Sequence, residues 1–121
     1  HQLSDGSIRF IALATLLLQP SQTMPNVIIL DEPELGLHPY AITQLAEMIK
    51  DASCHSQIIV ASQSKDLVDH FEIEDVSIVE MSDDNSCTSL RKLDREEYKL
   101  WLEHYSVSEL WDKNIIGGRP V

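Results

Sequence analysis

Basic residues are scarce in this chain. Nine Lys and Arg stand against twenty Asp and Glu among 121 residues, a formal net charge of -11. So large a deficit repels phosphate backbones at long range and excludes a self-sufficient nucleic-acid clamp. It also excludes a basic amphipathic helix lying on a membrane. Long apolar runs are missing: the longest, residues 10–18, is too short to span a bilayer and carries Thr15. Cysteine is limited to Cys54 and Cys87, 33 positions apart, which gives neither a disulfide framework nor a zinc-ligand spacing. Reduced thiols in a cytosolic protein are the simplest reading. Glycine is limited to Gly6, Gly36, Gly117 and Gly118, and none begins a G-x-x-x-x-G-K-[ST] phosphate loop. H-E-x-x-H and G-x-S-x-G are absent, which sets aside a zinc protease and an α/β-hydrolase triad. The chain opens on His1-Gln2 with no secretory signal pattern and reads as part of a longer polypeptide.

What is present is an ordinary globular composition, 43% hydrophobic and 24% charged, with enough chain for about one domain. The acidic excess is uneven: residues 66–84 hold eight acids and no Lys or Arg, which reads as a solvated acidic face. Ser4 or Asp5 is placed to cap a helix running to about Gln19, where Pro20 ends it. That helix is apolar on nearly every side in its second half, the pattern of a buried helix. Val27-Ile28-Ile29-Leu30 reads as a strand buried on both faces, as in a parallel sheet. Pro39 suits the first turn of a helix over residues 39–52, with Ile42, Leu45, Ala46 and Ile49 on one face. Residues 57–61 form a second buried strand, and residues 65–71 a short helix. Residues 76–81 and 88–93 flank an Asp83-Asp84-Asn85 hairpin turn. Asp94 caps a helix carrying Tyr98, Trp101, Leu102 and Tyr105, a last helix covers residues 107–112, and Gly117-Gly118-Arg119-Pro120 reads as a flexible tail. The aromatic side chains of Trp101, Tyr105 and Trp111 are expected to pack this end of the chain rather than stack on bases, since the surroundings are acidic. Strands alternating with helices imply an α/β fold with a mostly parallel sheet.

The chemistry concentrates at the end of the first strand. Four apolar residues drive it into a core, and Asp31 and Glu32 follow at once at its C-terminal end. Ligands of open α/β sheets bind at that edge. Two adjacent carboxylates there call for a cation, and Mg²⁺ held with a nucleotide phosphate would supply one. The second carboxylate is then free to orient or deprotonate a water for attack on a phosphoryl group.

Four ordered segments carry a family resemblance. Leu3-Ser4-Asp5-Gly6-Ser7 resembles the signature segment of ABC-type ATPases, and residues 27–32 resemble Walker B with its following catalytic Glu. Glu34-Leu35-Gly36-Leu37-His38-Pro39 resembles the D-loop, and Ile58-Ile59-Val60-Ala61-Ser62-Gln63-Ser64 the switch strand and loop. The sequence thus resembles the C-terminal half of an ABC-type ATPase of the SMC/RecF class, among the predicted AAA-like ATPases. The resemblance implies a P-loop NTPase fold and cofactors ATP and Mg²⁺. It implies Asp31 on the metal through water, Glu32 and Gln63 as catalytic residues, and Ser4 and Gly6 on a phosphate across a dimer interface. Gly36, expected in a left-handed conformation, and His38 would belong to that interface, with a helix-start hydrogen bond as the plainer role for His38. Asp5 departs from the usual Gly-Gly pair and is expected to point away from the phosphate. Gln63 departs from the usual switch histidine. An amide cannot carry charge at neutral pH, which leaves the hydrolysis rate open.

The resemblance further implies a Walker A half upstream, residues 1–75 as the signature-to-switch part, and residues 76–121 as an edge hairpin with terminal helices. It implies a cytoplasmic homodimer closing on ATP, away from membranes, with DNA as a partner of the whole protein in DNA maintenance or defence. The segment alone is expected to be inactive. The alternatives are a nucleotide-gated scaffold with negligible turnover that recruits an effector and, less well matched by the D-loop, a membrane-transporter ATPase subunit.

Overall fold

A computed structural model describes residues 5–84 and 86–118. The chain divides into two compact units, His1–Leu67 and Val68–Val121.

In the first unit, helix α1 (Asp5–Leu17) lies against α2 (Pro39–Ala52). Strands β1 (Val27–Asp31) and β2 (Gln57–Ala61) pair in parallel, Val27 opposite Gln57 through to Asp31 opposite Ala61. Ser56 fastens the start of the pair, its hydroxyl donating to the Pro25 carbonyl at 2.5 Å. The buried face of α2 is Ile42, Leu45, Ala46, Met48, Ile49 and Ala52, the stripe its periodicity predicts. Three expectations are corrected. α1 stops at Leu17, and only Leu17 on it is buried, with Ile8, Ile11 and Leu18 beyond it exposed. β1 alternates, Ile28 and Leu30 inward and Val27, Ile29 and Asp31 outward, instead of being buried on both faces. In β2, likewise, Ile58 and Val60 are only half-buried and Ile59 is exposed. The physical reason is the same in each case. Apolar composition fixes what a surface favours, but burial needs a covering layer, and among the described residues none lies over these faces.

The chain passes through α3 (Lys65–Val68), shorter than expected, into the second unit. There β3 (Ser77–Met81) and β4 (Thr88–Lys92) form an antiparallel hairpin. The core gathers Ile73, Ile78, Leu93, Tyr98, Val107, Leu110, Trp111 and Ile116. The region after Asp94 departs from the expected helix. Glu97 and Tyr98 donate to carbonyls three residues back, so turns precede a four-residue helix, α4 (Lys99–Leu102). Asp94 accepts from the Glu96 N–H and caps a turn instead of a helix. Trp111 is buried and Tyr105 packs at the edge of the core, while Trp101 stays exposed.

Helix α5 (Val107–Asp112) is held at both ends. A reciprocal capping box joins Ser106 and Glu109, and the Asp69 carboxylate accepts from the Ser108 N–H at 2.8 Å and the Ser108 hydroxyl at 2.5 Å. At the other end Asn114 takes a φ of 60°, Asn114 N–H donates to the Trp111 carbonyl and Ile115 N–H to the Leu110 carbonyl, a Schellman motif. Gly117 and Gly118, expected in a flexible tail, are instead packed. Arg91 donates to the Ile116 carbonyl and Trp111 Nε1 to the Gly118 carbonyl. Gly117 takes a φ of 86°, a left-handed conformation that favours glycine, with the Glu80 carboxylate close against it. Arg119 and Pro120 lie outside the described residues.

The acidic run also does structural work. Asp69 ties down α5, and Arg95 reaches Glu74 and Glu72, each at 2.7 Å. These acids hold its guanidinium further above its ordinary pKa. In the hairpin turn, hydrogen bonds from the Ser82 hydroxyl and the Ser86 N–H lower the Asp84 pKa to about 2.

Two outcomes follow. Asp69→Ala removes two part-buried hydrogen bonds to Ser108 and should lower stability by about 1–2 kcal/mol in urea unfolding. The Asp84 carboxylate should titrate by NMR near pH 2. Its folded pKa lies below the ordinary 3.8, so its contribution is complete above that value and is lost as pH falls through about 2.

Candidate functional site

The C-terminal edge of the β1–β2 pair is where the candidate residues collect. Both strands run the same way, so their ends emerge together. Glu32 N–H donates to the Ala61 carbonyl at 2.7 Å, which continues the pairing one residue past β1. This bond sets Asp31 and Glu32 beside the start of the Ser62-Gln63-Ser64 loop. In that loop the Ser62 hydroxyl accepts from the Ser64 N–H at 2.9 Å, and the Ser64 hydroxyl caps α3 by accepting from the Leu67 N–H at 3.0 Å. The two serines are occupied locally, while Gln63 between them is exposed. Asp31 is exposed as well and Glu32 half-buried.

The chain then makes two consecutive turns. Leu35 N–H donates to the Glu32 carbonyl and Leu37 N–H to the Glu34 carbonyl. Pro33 occupies the second position of the first turn, which its fixed φ favours. Gly36 occupies the third position of the second turn with a φ of 77°, the left-handed conformation its sequence context predicts. His38 next caps α2: its Nδ1 accepts from the Tyr40 N–H at 3.2 Å, and Pro39 begins the helix. The proton of a neutral imidazole therefore sits on Nε2, at an exposed position. The helix-start role for His38 is thus seen directly.

Gly6 lies in the first turn of α1, and a Cβ built on Gly36 would meet its Cα at 4.0 Å. The structure therefore brings Gly6 against Gly36. Asp5 is the first residue of α1, where a carboxylate favours the positive end of the helix dipole. Ser4 lies outside the described residues.

Sequence reasoning missed two features of this loop. Glu32 has a φ of 47°, although it is neither glycine nor asparagine and precedes a proline, a position that favours extended backbone. Such a conformation costs about 1–3 kcal/mol and persists only where its surroundings impose it. Here the Ala61 bond on one side and the Leu35 bond on the other do so. Glu34 is the second. It is buried, 8% exposed, and its Oε1 has no hydrogen-bond partner. The Pro33 ring could have hinted at a turn, but nothing in the spacing marks Glu34 as an inward residue.

Among the described residues no three His, Cys, Asp or Glu side chains converge on a common point. An ion here would need oxygen donors from water and a bound phosphate besides Asp31, the usual arrangement for Mg²⁺. The hard carboxylate, exposed at a strand end, fits that role.

Residues 1–69 match the family described as "AAA domain, putative AbiEii toxin, Type IV TA system". The chain is 38% identical over 61 residues to a protein of Geobacter sulfurreducens named "Putative ABC transporter ATP-binding protein", covering 50% of this chain and 22% of that one. It is 36% identical over 70 residues to an energy-coupling factor transporter ATP-binding protein of Lactobacillus delbrueckii subsp. bulgaricus, covering 56% of this chain and 23% of that protein. It thus spans less than a quarter of the length of these relatives. Two solved structures share the fold. One comes from work on ATP-driven dimerisation and DNA-stimulated activation of SMC ATPases, with a TM-score of 0.59 and 21% identity over 84% of this chain and 60% of that one. The other is an SMC head bound to the C-terminal winged-helix domain of ScpA, with a TM-score of 0.64 and 20% identity over 81% of this chain and 29% of that one.

The loop strain is testable. Glu32→Gly should raise stability by about 0.5–1 kcal/mol, because glycine adopts positive φ freely. Gly36→Ala should lower it by about 1–2 kcal/mol, from backbone strain alone. Thermal melts of both variants against the parent measure the pair.

Proposed function

The chain belongs to the AAA-domain family matched by residues 1–69 and has the α/β fold of the ABC/SMC ATPases, and on that footing we propose that it is the Walker B portion of a dimerising ATPase. The reaction is hydrolysis of ATP to ADP and phosphate. One observation carries the reading: the bond from Glu32 N–H to Ala61 groups Asp31, Glu32 and the Gln63 loop at one strand edge. In this reading Asp31 would hold Mg²⁺ through water, and the bound ion would supply positive charge against the phosphate oxygens. Glu32 orients the attacking water and accepts its proton, and Gln63 donates to the terminal phosphate or holds that water. Gly6 and Ser4 offer backbone and hydroxyl donors to the nucleotide of a second head, and Gly36 and His38 belong to the same dimer interface. The phosphate loop comes from a Walker A half outside these residues.

The wider setting belongs to the same proposal: a homodimer closing on ATP in the cytoplasm, serving DNA maintenance or defence. No helix among the described residues is long and apolar enough to cross a membrane. A nucleotide-gated scaffold with negligible turnover that recruits an effector is favoured by two features, Gln63 in the place of a switch histidine and Asp5 in the signature segment.

In the intact protein, Glu32→Gln should reduce steady-state phosphate release by at least about 100-fold and let an ATP-bound dimer accumulate in sedimentation. Equal release from parent and variant removes Glu32 from the chemistry. Gln63→His should add a step near pH 6.5 to a rate profile to which Gln63 itself contributes no titration. A parent that binds ATP and dimerises without measurable release supports the scaffold instead.

A further inference from the structure

Ser62 makes a hydrogen bond that serves no regular element. Its hydroxyl accepts from the Ser64 N–H at 2.9 Å, two residues on, and so closes a ring around Gln63. β2 ends at Ala61 and α3 begins at Lys65, so this bond neither extends the sheet nor caps a helix. Ser64, by contrast, has a plain structural role, since its hydroxyl caps α3 at the Leu67 N–H. Both ends of the ring are anchored. On one side the Ala61 carbonyl accepts from the Glu32 N–H at 2.7 Å. On the other, Ser64 is tied to Leu67, which is 2% exposed. Gln63 itself is exposed between two half-buried serines. An exposed loop residue has many backbone conformations open to it, and the bond across Gln63 removes much of that freedom.

We propose that Ser62 is a positioning residue for Gln63. Its hydroxyl fixes the Gln63 backbone, so that the amide meets the terminal phosphate or the attacking water without first having to be ordered. The inference rests on the reading that Gln63 acts on a nucleotide within a larger ATPase. An amide brings no positive charge, and a neutral hydrogen bond is weaker than a charge-assisted one. What Gln63 contributes therefore depends on its geometry more than a charged residue's contribution would. The Ser62 bond supplies that geometry from within the loop, and Ser62 acts through Gln63 instead of touching the nucleotide.

The test is a double-mutant cycle on the intact protein, with Ser62→Ala, Gln63→Ala and the two together, read as kcat and KM for ATP in phosphate release. Ser62→Ala should lower kcat about 3–10-fold, the loss of one hydrogen bond, and leave KM within about twofold of the parent. In the Gln63→Ala background the same change should move kcat by less than about twofold, because no amide is left to position. Ser62→Thr keeps the hydroxyl and should stay within about twofold of the parent in kcat. Three results overturn the proposal. One is a parental kcat for Ser62→Ala where Gln63→Ala is slow. Another is an equal loss with and without Gln63, the behaviour of a general structural defect or of a hydroxyl that touches the nucleotide itself. The third is Ser62→Thr as slow as Ser62→Ala. A parental kcat for Gln63→Ala, distinct from all three, removes the role given to Gln63 and this inference with it. A parent that closes on ATP without releasing phosphate counts against the ATPase reading. The cycle is then read on the Kd of the ATP-dependent dimer, where additive effects of the two substitutions overturn the proposal and non-additive ones support it.

Discussion

The hydrogen bond from Glu32 N–H to the Ala61 carbonyl, 2.7 Å long, is the constraint on which the candidate site depends. Parallel strands put their C-terminal ends on one edge, but the register decides which residues meet there. Asp31 opposite Ala61 is that register, and the Glu32 bond extends it into the loops. A slip of one residue would send Asp31 and Ile29 to the covered face and Ile28 and Leu30 to the open one. The alternation of Ile28 and Leu30 inward with Val27 and Ile29 outward is therefore also what aims the acid outward.

From that anchor the loop to α2 follows by local rules and one violation of them. Pro33, Gly36, His38 and Pro39 each occupy a position their backbone or side chain favours: turn, left-handed turn, cap and first helical residue. Glu32 does not. Its left-handed conformation is imposed by the sheet bond before it and the turn after it. Local rules fail most often where a residue is kept for its chemistry, and here the exception is the carboxylate proposed to handle water. Buried Glu34 two residues on is a second exception in the same turn.

How much of this could be read in the sequence varied with the kind of force involved. Local signals were sufficient for α2, β2 and α5. Pro39 fixes the start of α2, its apolar stripe fixes the face, and the run Ile58-Ile59-Val60 fixes β2. The short helix expected over residues 107–112 is found there as α5. Apolarity proved a poor guide to cover: α1 and the outer face of β1 are apolar and exposed, because periodicity describes the surface of an element and not its neighbours. Long-range hydrogen bonds were invisible. Asp69 holds α5 from 39 residues away, and Arg91 on the Ile116 carbonyl and Trp111 on the Gly118 carbonyl hold the segment where a loose tail is the local expectation. At the site, the order Asp31, Glu32, Gly36, His38, Gln63 was legible from spacing and family likeness. The φ of Glu32 and the burial of Glu34 were not, since both come from the closing of two turns in three dimensions.

The fold and family place an ATPase-type frame around two carboxylates, and the account stands on what Asp31 does there. The most direct measurement is electron paramagnetic resonance of Mn²⁺ with ATP on the intact protein, parent against Asp31→Asn. The account predicts that Asp31→Asn weakens nucleotide-dependent Mn²⁺ binding about 10–100-fold and leaves metal-free ATP binding in place. Equal Mn²⁺ affinity in the two proteins would contradict it.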